Sequence, residues 1–261
     1  MLVRMVLKPA LHLLERYALP RLGAGLRWSD RGLARAAVLN GAEQKASELR
    51  ELIRLLRQHR PLRCVVEIGT ARGGTIFAWC NLAEPDATLI SIDLPGGKFG
   101  GGYGEAEIRT MRSFARRRQT MHFLQADSHD AATKQQLLHL LAGAEIDFLM
   151  IDGDHTYDGV RSDFEMYAPL VRSGGLLAFH DVLYHDRVPE CQVDRFWNEI
   201  RSRYSHWEFV RPGHDAGWGS WGGIGVLQAQ ATTGFASHQA HADRSRGAAC
   251  GGHDRRPLVI R

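Results

Sequence analysis

The chain has 261 residues, of which 44% are hydrophobic and 24% charged, with a formal net charge of +4. These values are typical of one globular domain with a buried core and leave little chain for a second domain. No basic stripe interleaved with aromatic side chains is present, so nucleic acid is not an expected partner. No apolar run approaches the length of a membrane span, which excludes that class of membrane protein from the prediction.

Four cysteines, Cys64, Cys80, Cys191 and Cys250, form no C-x-x-C pair. They are expected to be free thiols, which fits a reducing compartment. Charged residues interrupt the apolar positions near the N-terminus, so a signal peptide is not predicted. The predicted location is cytoplasmic.

The first elements are helical. Residues 2–18 place apolar side chains at helical spacing before Pro20 breaks the pattern, and a second helix is predicted over 42–59. We therefore expect residues 1–41 to form an N-terminal helical extension. It either serves as a lid or a membrane-surface contact or, more simply, covers the edge of the domain.

Apolar β-branched runs then alternate with helical patterns. Strands are predicted at 64–68, 88–93, 121–126, 146–151 and 175–180, and helices near 74–83, 104–118, 130–142, 158–171 and 189–203. This alternation predicts βαβ crossovers and a parallel sheet. Two further strands, 206–211 and 223–227, are joined without a helix and should pair antiparallel.

The predicted fold class is therefore α/β, with a doubly wound, mostly parallel seven-stranded sheet ending in an antiparallel hairpin. This domain spans residues 42–228. From residue 229 to residue 261 periodic apolar positions are almost absent, which predicts a disordered tail.

A glycine turn follows the first strand. Glu67 ends the strand, and Gly69 and Gly73 precede a helix whose N-terminus presents backbone N–H groups. Because glycine has no Cβ, a nucleotide-like ligand is expected to lie against the main chain at Gly69 and Gly73. Asp93 closes the next strand, where an acid can accept hydrogen bonds from both ribose hydroxyls.

Dinucleotide-binding folds and S-adenosylmethionine-binding folds share that acid. The turn lacks the middle glycine of G-x-G-x-x-G, which lets the backbone approach a pyrophosphate, and S-adenosylmethionine has no pyrophosphate. Glu-Ile-Gly-x-x-x-Gly-Gly, from Glu67 to Gly74, resembles the first motif of class I S-adenosylmethionine-dependent methyltransferases. The resemblance implies S-adenosylmethionine as cofactor and places Asp127 and Ser128 where family members contact the adenine amino group. The alternative for these two residues is capping of the following helix.

A cluster of ionisable residues follows two neighbouring strands. Asp152, Asp154 and His155 come directly after one strand, and His180 and Asp181 end the next. Asp152 and Asp181 should face one pocket, where a divalent cation would relieve the repulsion between their carboxylates. His180 is a candidate third ligand, although imidazole suits Mg²⁺ less well than Mn²⁺ or a transition metal. Solvated strand-end carboxylates are the alternative, and Asp154 is expected to cap the following helix.

Ile-Asp-Gly-Asp-His-x-Tyr and Gly-Gly-x-x-x-x-His-Asp resemble a methyltransferase subgroup grouped with cephalosporin-hydroxylase-like and macrolide or sugar O-methyltransferases. The resemblance runs from about Gln44 to Gln228. It implies that Asp152 and Asp181 hold Mg²⁺ beside the substrate hydroxyl, with His180 where some relatives carry a Glu.

The segment from Pro95 to Gly104 contains six glycines in ten residues. Its place after Asp93 favours a lid over cofactor or substrate, with a flexible connector as the alternative. Phe99 and Tyr103 are expected to offer aromatic surfaces to the ligands, with Trp218 and Trp221 opposite them.

The predicted function is an O-methyltransferase that acts on a hydroxyl of a small or glycosylated molecule. His155 is the expected general base, with Asp152 as the candidate base if no metal takes part. A nicotinamide-dependent oxidoreductase and a non-catalytic ligand-binding domain are the alternatives. A homo-oligomer is compatible with the sequence.

Overall fold

The computed structural model describes residues 28–116, 118–211 and 221–230. The helix predicted at 2–18, Trp218, Cys250 and nearly all of the predicted tail lie outside these residues. Among the helices that the structure describes, none is both long and apolar enough to cross a bilayer.

One mixed sheet of seven strands organises the domain. The strands, numbered in chain order, are β1 Cys64–Ile68, β2 Thr88–Asp93, β3 Thr120–Gln125, β4 Ile146–Ile151, β5 Val171–Leu183, β6 Ser205–Phe209 and β7 Gly222–Gln228. Their order across the sheet is β3-β2-β1-β4-β5-β7-β6. The pairs among β1 to β5 are parallel, and β7 runs antiparallel to both β5 and β6. The predicted fold class is confirmed.

Seven α-helices are described with the sheet: α1 Asp30–Leu39, α2 Ala46–Gln58, α3 Gly74–Leu82, α4 Glu105–Arg112, α5 Ala131–Leu141, α6 Tyr157–Tyr167 and α7 Val193–Ile200. Helix α4 is shorter than predicted. It ends at Arg112, where Ser113 Oγ donates to the Thr110 carbonyl (2.6 Å) and Phe114 packs into the core.

Alternate residues of each strand face opposite layers. In β1, Val65 packs with α1, α2 and α3, whereas Val66 packs with α5, α6 and α7 on the other side. Both faces of the sheet are therefore covered, and its central strands are largely apolar because neither face meets water.

Helix α1, within the predicted N-terminal extension, packs on the domain. Ser29 caps it by accepting the N–H of Gly32 (3.1 Å), and Asp30 pairs with Arg57 of α2 (2.8 Å). A Cβ on Gly74 would lie 1.9 Å from the nitrogen of Ala42, so glycine is needed where α3 meets the chain after α1. This packing holds the segment from Gly41 to Gln44 over the carboxyl ends of the strands.

The sheet order reverses between β1 and β4, because β1 is followed in sequence by β2 on one side and has β4 on the other. A crevice forms at such a point beyond the carboxyl ends of the strands. The predicted site residues follow these same strand ends.

Candidate functional site

A cavity of about 330 Å³ lies at the carboxyl ends of β1, β2, β4 and β5. Its lining includes every predicted site residue except Glu67 and Gly73. The glycine turn, the ribose acid and the ionisable cluster therefore share one cavity, as the strand order requires.

Asp93 joins the glycine turn to the glycine-rich segment after β2. Its Oδ2 accepts the backbone N–H groups of Thr70 (2.9 Å) and Ala71 (2.6 Å). Burial raises the pKa of Asp93, while backbone N–H donors, those of Ala71 and Gly102 foremost, oppose the shift. The carboxylate is thus held by main chain on two sides at the cavity wall.

Glu67 lies behind the turn rather than in the cavity. Trp79 Nε1 donates to its Oε1 (3.0 Å) and Thr70 Oγ1 to its Oε2 (2.9 Å). Complete burial raises the pKa of Glu67 to about 7, against these donors. In the structure this side chain supports the turn from beneath.

Packing within the protein explains the two turn glycines. A Cβ on Gly69 would lie 2.0 Å from the carbonyl oxygen of Asp152, and one on Gly73 would lie 2.4 Å from the side chain of Met111. Neighbouring protein atoms therefore already exclude a side chain at both positions, and contact of a ligand with the main chain there stays a prediction. Because Gly69 has no side chain, the turn after β1 can pack directly against the backbone of Asp152, the candidate catalytic residue.

Neither Asp127 nor Ser128 is the N-cap of α5, because that position belongs to Asp130. Asp127 Oδ1 instead accepts the N–H of His129 (2.9 Å), and the carbonyl of Ser128 accepts the hydroxyl of Tyr167. The capping alternative is therefore wrong for both residues. Their contact with adenine stays a prediction.

His129 also lines this end of the cavity, although the sequence analysis does not select it. Its Nε2 lies 3.4 Å from Oδ1 of the fully buried Asp163 on α6. Asp163 raises the pKa of His129 to about 9, against the effect of burial. Only the tertiary structure pairs these two residues, which are 34 positions apart.

The ionisable cluster is compact. Asp152 Oδ1 lies 3.1 Å from His180 Nδ1 and 3.5 Å from His155 Nε2. Asp181 Oδ2 lies 2.9 Å from His155 Nδ1, and its Oδ1 lies 3.6 Å from His180 Nδ1. Two carboxylates and two imidazoles therefore alternate around the strand ends.

The backbone of β5 aims Asp181 into this cluster. Asp181 has φ +59°, which is uncommon for a non-glycine residue, and the pairing of β5 with β7 shifts register between His180 and Leu183. A bulge re-aims a side chain and is frequent beside active sites. Strand periodicity alone does not reveal such a bulge.

The carboxylates keep protons on both histidines. Burial lowers the pKa of His155, but the hydrogen bonds with Asp181 and Cys191 and the charges of Asp152 and Asp181 together outweigh burial, so the pKa lies well above its ordinary value. Burial likewise lowers the pKa of His180, yet the charges of Asp181 and Asp152 raise it to about 9. Burial raises the pKa of Asp181, but His180 and His155 together lower it by more. The net shift is downward, so the carboxyl stays ionised.

Two atoms of the cluster fit a cation. His180 Nε2 and Asp181 Oδ1 are buried and have no hydrogen-bond partner among the described residues. A buried polar atom without a partner is costly, and carboxylate oxygens with an imidazole form a ligand set for a divalent ion. These residue types suit a metal ion, but binding of a cation by Asp152, Asp181 and His180 stays a prediction; the described residues whose ligand atoms all lie within 4.8 Å of one another are His155, Asp181 and Cys191.

Gln44 is a further site residue that the sequence analysis misses. It is buried, and its Nε2 donates to Asp152 Oδ2 (2.6 Å). Gln44 lies before α2 and is 108 positions from Asp152 in sequence, and no motif marks it. It holds one oxygen of Asp152 in place.

Aromatic rings lie on both sides of the cluster. Phe99, in the glycine-rich segment, stacks on His155 with centroids 5.0 Å apart, and Trp221 stacks on His185 at 4.4 Å. Tyr103 does not face the cavity, contrary to expectation. It is buried beneath the segment, where Ser91 Oγ lies 3.0 Å from its hydroxyl.

The helix after the cluster is capped by a residue other than the predicted one. Thr156 is the N-cap of α6 and accepts the N–H of Gly159 (3.0 Å), while Asp154 accepts the N–H of Thr156 (2.8 Å). The prediction that Asp154 is the cap is wrong, since it sits two residues earlier and closes the turn before the helix.

Comparison with known proteins agrees with this geometry. Residues 66–182 match the model of a methyltransferase domain. Two curated proteins are 29% identical over about 150 residues: uncharacterised proteins of Sinorhizobium fredii, covering 56% of this chain, and of Acanthamoeba polyphaga mimivirus, covering 55%. The matched region spans 16% of the first relative and 64% of the second.

Solved structures share the fold at low sequence identity. The O-methyltransferase TomG from Streptomyces achromogenes, in complex with S-adenosylmethionine, has a TM-score of 0.52 and 16% identity, covering 78% of this chain and 91% of its own. The methyltransferase MycE, in complex with Mg, S-adenosylhomocysteine and mycinamycin VI, has a TM-score of 0.51 and 15% identity, covering 78% and 55%.

The match of residues 66–182 to a methyltransferase domain and the shared fold agree with the predicted methyltransferase.

Proposed function

We propose that the chain is an S-adenosylmethionine-dependent O-methyltransferase that acts on a hydroxyl of a small or glycosylated molecule with the help of a divalent cation. One observation carries the proposal. Asp93 beside the glycine turn and the Asp152–Asp181 pair line the same cavity of about 330 Å³. A cofactor-side acid and an acceptor-side ionisable cluster in one space suit transfer of a group between two bound molecules.

The cofactor side is built from the turn and three strand ends. Thr70 and Ala71 fix Asp93, which then offers its remaining lone pairs to ribose hydroxyls. Asp127 and Ser128 are proposed to contact the adenine, since they line the cavity at the end of β3. S-adenosylmethionine supplies a methyl group that is already activated, so what the chain must provide is alignment of the acceptor oxygen and removal of its proton.

On the acceptor side His155 is the proposed general base. It lines the cavity, and Asp181 bonds its Nδ1, which leaves Nε2 as the nitrogen closer to Asp152 and the candidate for accepting a proton. A base must be neutral, whereas the surrounding carboxylates raise the pKa of His155. Neutralising those carboxylates would bring His155 back toward the range in which a histidine base works.

Asp152, Asp181 and His180 would hold the divalent cation, and when bound it lowers the pKa of a hydroxyl beside it. Gln44 keeps Asp152 oriented through its 2.6 Å hydrogen bond. The unpaired Asp181 Oδ1 and His180 Nε2 support this assignment. MycE, whose structure contains Mg, offers a precedent on the same fold.

The aromatic side chains of the cavity favour an acceptor that contains a ring. Phe99 covers His155, and Trp221 enters the cavity from the β7 side. Faces of this kind pack against the apolar side of a sugar or a polyketide ring, while the carboxylates take the hydroxyls. MycE was crystallised with mycinamycin VI, and this chain is proposed to take an acceptor from the same broad class of hydroxylated small molecules.

The two rival functions make different predictions. A nicotinamide-dependent oxidoreductase would need a turn that accepts a pyrophosphate, and the antiparallel β5–β7–β6 end differs from the two parallel halves of a dinucleotide fold. A non-catalytic binding domain gives no reason for four ionisable groups to lie together at the wall of one cavity. Cytoplasmic location and a homo-oligomer stay predictions.

Calorimetry with S-adenosylhomocysteine and, separately, with NAD⁺ tests the cofactor. We expect saturable binding of the first and none of the second. A radiolabelled methyl-transfer assay over sugars, polyketides and phenols, with Mg²⁺ and after chelation, then tests the reaction. Binding of NAD⁺ without binding of S-adenosylhomocysteine would overturn the proposal.

A further inference from the structure

A thiol stands beside the ionisable cluster and has no part in the proposed reaction. Cys191 is 4% exposed, and its Sγ lies 3.8 Å from His155 Nδ1 and 3.9 Å from Asp181 Oδ2. Among the described residues, this is the group of histidine, cysteine and acidic side chains whose ligand atoms all lie within 4.8 Å of one another. A sulfur, a nitrogen and an oxygen thus form a triangle on one side of the cluster.

The triangle has nearly the size of one face of a tetrahedral zinc site. Zn–S bonds of about 2.3 Å and Zn–N or Zn–O bonds of about 2.0–2.1 Å imply roughly 3.6 Å from sulfur to nitrogen or oxygen and roughly 3.3 Å from nitrogen to oxygen. The corresponding distances in the protein are 3.8, 3.9 and 2.9 Å. Each edge needs to change by only a few tenths of an ångström.

The three side chains are fixed by backbone on three different elements. Asp181 sits at the register shift of β5 with φ +59°. The loop carrying Cys191 is held because Gln192 N donates to the carbonyl of His155 (2.7 Å) and Cys191 N donates to the carbonyl of Val188 (2.9 Å). The thiol and the imidazole are therefore held together by main-chain bonds, independently of any side-chain contact.

A second observation points to a ligand. Asp181 is 6% exposed and its Oδ1 has no hydrogen-bond partner among the described residues, so this carboxylate has unused acceptor capacity next to the Oδ2 that faces His155 and Cys191. A pure oxygen-ligand ion such as Mg²⁺ gains nothing from a sulfur neighbour, whereas thiolate and imidazole are ligands that Zn²⁺ prefers.

We propose that His155, Asp181 and Cys191 form a site for a thiophilic divalent cation of the Zn²⁺ class, distinct in its ligands from the oxygen-rich Asp152–Asp181–His180 set. On binding, the thiol and the imidazolium release their protons to solvent, and bonds form from Sγ, Nδ1 and Oδ2 to the ion. Three protein ligands leave a fourth position for water, as in open zinc sites.

One consequence rests on the proposed function. The two ligand sets share Asp181, and the zinc-class ion would also bind His155. That ion therefore makes both Asp181 and His155 unavailable for methyl transfer. Zn²⁺ is then an inhibitor that competes with the activating cation.

Cobalt spectroscopy on the metal-free 261-residue chain tests the ligand set without any turnover. Co²⁺ bound through a thiolate gives an intense near-ultraviolet sulfur-to-cobalt charge-transfer band, which Zn²⁺ should abolish by displacement. We expect this band in the wild-type protein and its loss in Cys191→Ser. The same variant should bind Zn²⁺ at least about 100-fold more weakly, which is the upper end of what losing a supporting partner costs a metal site.

Three control variants separate this site from other thiols and from the oxygen-rich set. Cys80→Ser alters a buried thiol of α3, and Cys250→Ser alters the cysteine outside the described residues; both should keep the band. Asp152→Asn should also keep it while losing affinity for Mg²⁺. Zinc X-ray absorption of the wild-type protein should show a sulfur shell at about 2.3 Å. This measurement does not depend on whether any variant folds.

Two results would overturn the proposal: a charge-transfer band that persists in Cys191→Ser, or Zn²⁺ bound to the wild-type protein with no sulfur shell. Failure of the proposed function would be recognised separately, because it is judged by binding of S-adenosylhomocysteine, in which Cys191 takes no part.

Discussion

Replacing Asp93 separates its structural role from its role toward the cofactor. In the wild-type protein Oδ2 accepts two backbone N–H groups, from Thr70 (2.9 Å) and Ala71 (2.6 Å), in a buried position. Asp93→Ala leaves both donors without a partner. Asp93→Asn keeps one carbonyl-type oxygen for them but removes the charge and an acceptor.

The magnitudes follow from these contacts. A hydrogen bond to a charged group contributes about 1.5–3 kcal/mol, so losing two of them should lower the free energy of unfolding of Asp93→Ala by roughly 2–4 kcal/mol once water reaches part of the turn. Loss of the ribose acceptor should weaken S-adenosylhomocysteine binding by about 1–3 kcal/mol, which is roughly 5- to 160-fold in the dissociation constant. Asp93→Asn should recover most of the stability and little of the affinity.

Urea unfolding and calorimetry with S-adenosylhomocysteine measure the two effects. Asp86→Ala, an exposed acid just before β2, is the matched control and should change neither quantity. If Asp93→Asn bound the ligand as tightly as the wild-type protein, the carboxylate would have no role toward ribose. If Asp93→Ala unfolded like the wild-type protein, the account of the glycine turn would be wrong.

Three further predictions concern the metal, the pH dependence and the glycine-rich segment. Chelation should stop turnover without unfolding the protein, Asp152→Asn should lose cation and rate together, and His155→Ala should keep Mg²⁺ while the rate falls by about 10²–10⁴-fold, the usual effect of a general base. Because Asp163 raises the pKa of His129 from 6.5 to about 9, the stability that this histidine contributes is complete below about pH 6.5 and is lost as pH rises through about 9. In His129→Gln the free energy of unfolding should fall by about 1–2 kcal/mol less over this pH range than in the wild-type protein, after allowance for solvent screening. Residues 96–104 should exchange amide hydrogens more slowly when S-adenosylhomocysteine is bound.

Each of these has a result that contradicts it. Full activity in chelator, with no metal in the purified protein, would remove the cation and make Asp152 the candidate base. If His139→Gln, an exposed histidine of α5, changed the pH profile as much as the variant at His129, the buried ion pair would not be its cause. Equal exchange of residues 96–104 in both states would leave this segment a connector.

The sequence by itself determined the layers of the fold and the strand ends at which chemistry occurs. Apolar runs of five or six residues alternating with helical patterns require a parallel sheet covered on both faces, and the parallel strands bring their carboxyl ends to one edge. Asp93 ends β2, Asp152 directly follows β4 and Asp181 lies near the carboxyl end of β5, so their convergence on one cavity could be predicted from the strand pattern.

Contacts between residues far apart in the chain were decided only by the tertiary structure. Gln44 meets Asp152 across 108 positions, and Cys191 reaches His155 across 36, because separate loops fold over the same strand ends. The backbone conformation of Asp181, at φ +59° in a register shift, likewise depends on how β5 pairs with β7. Local patterns report which face of an element is buried, but they do not report which distant loop lies against it; packing sets that choice, and with it the ligands around the cluster.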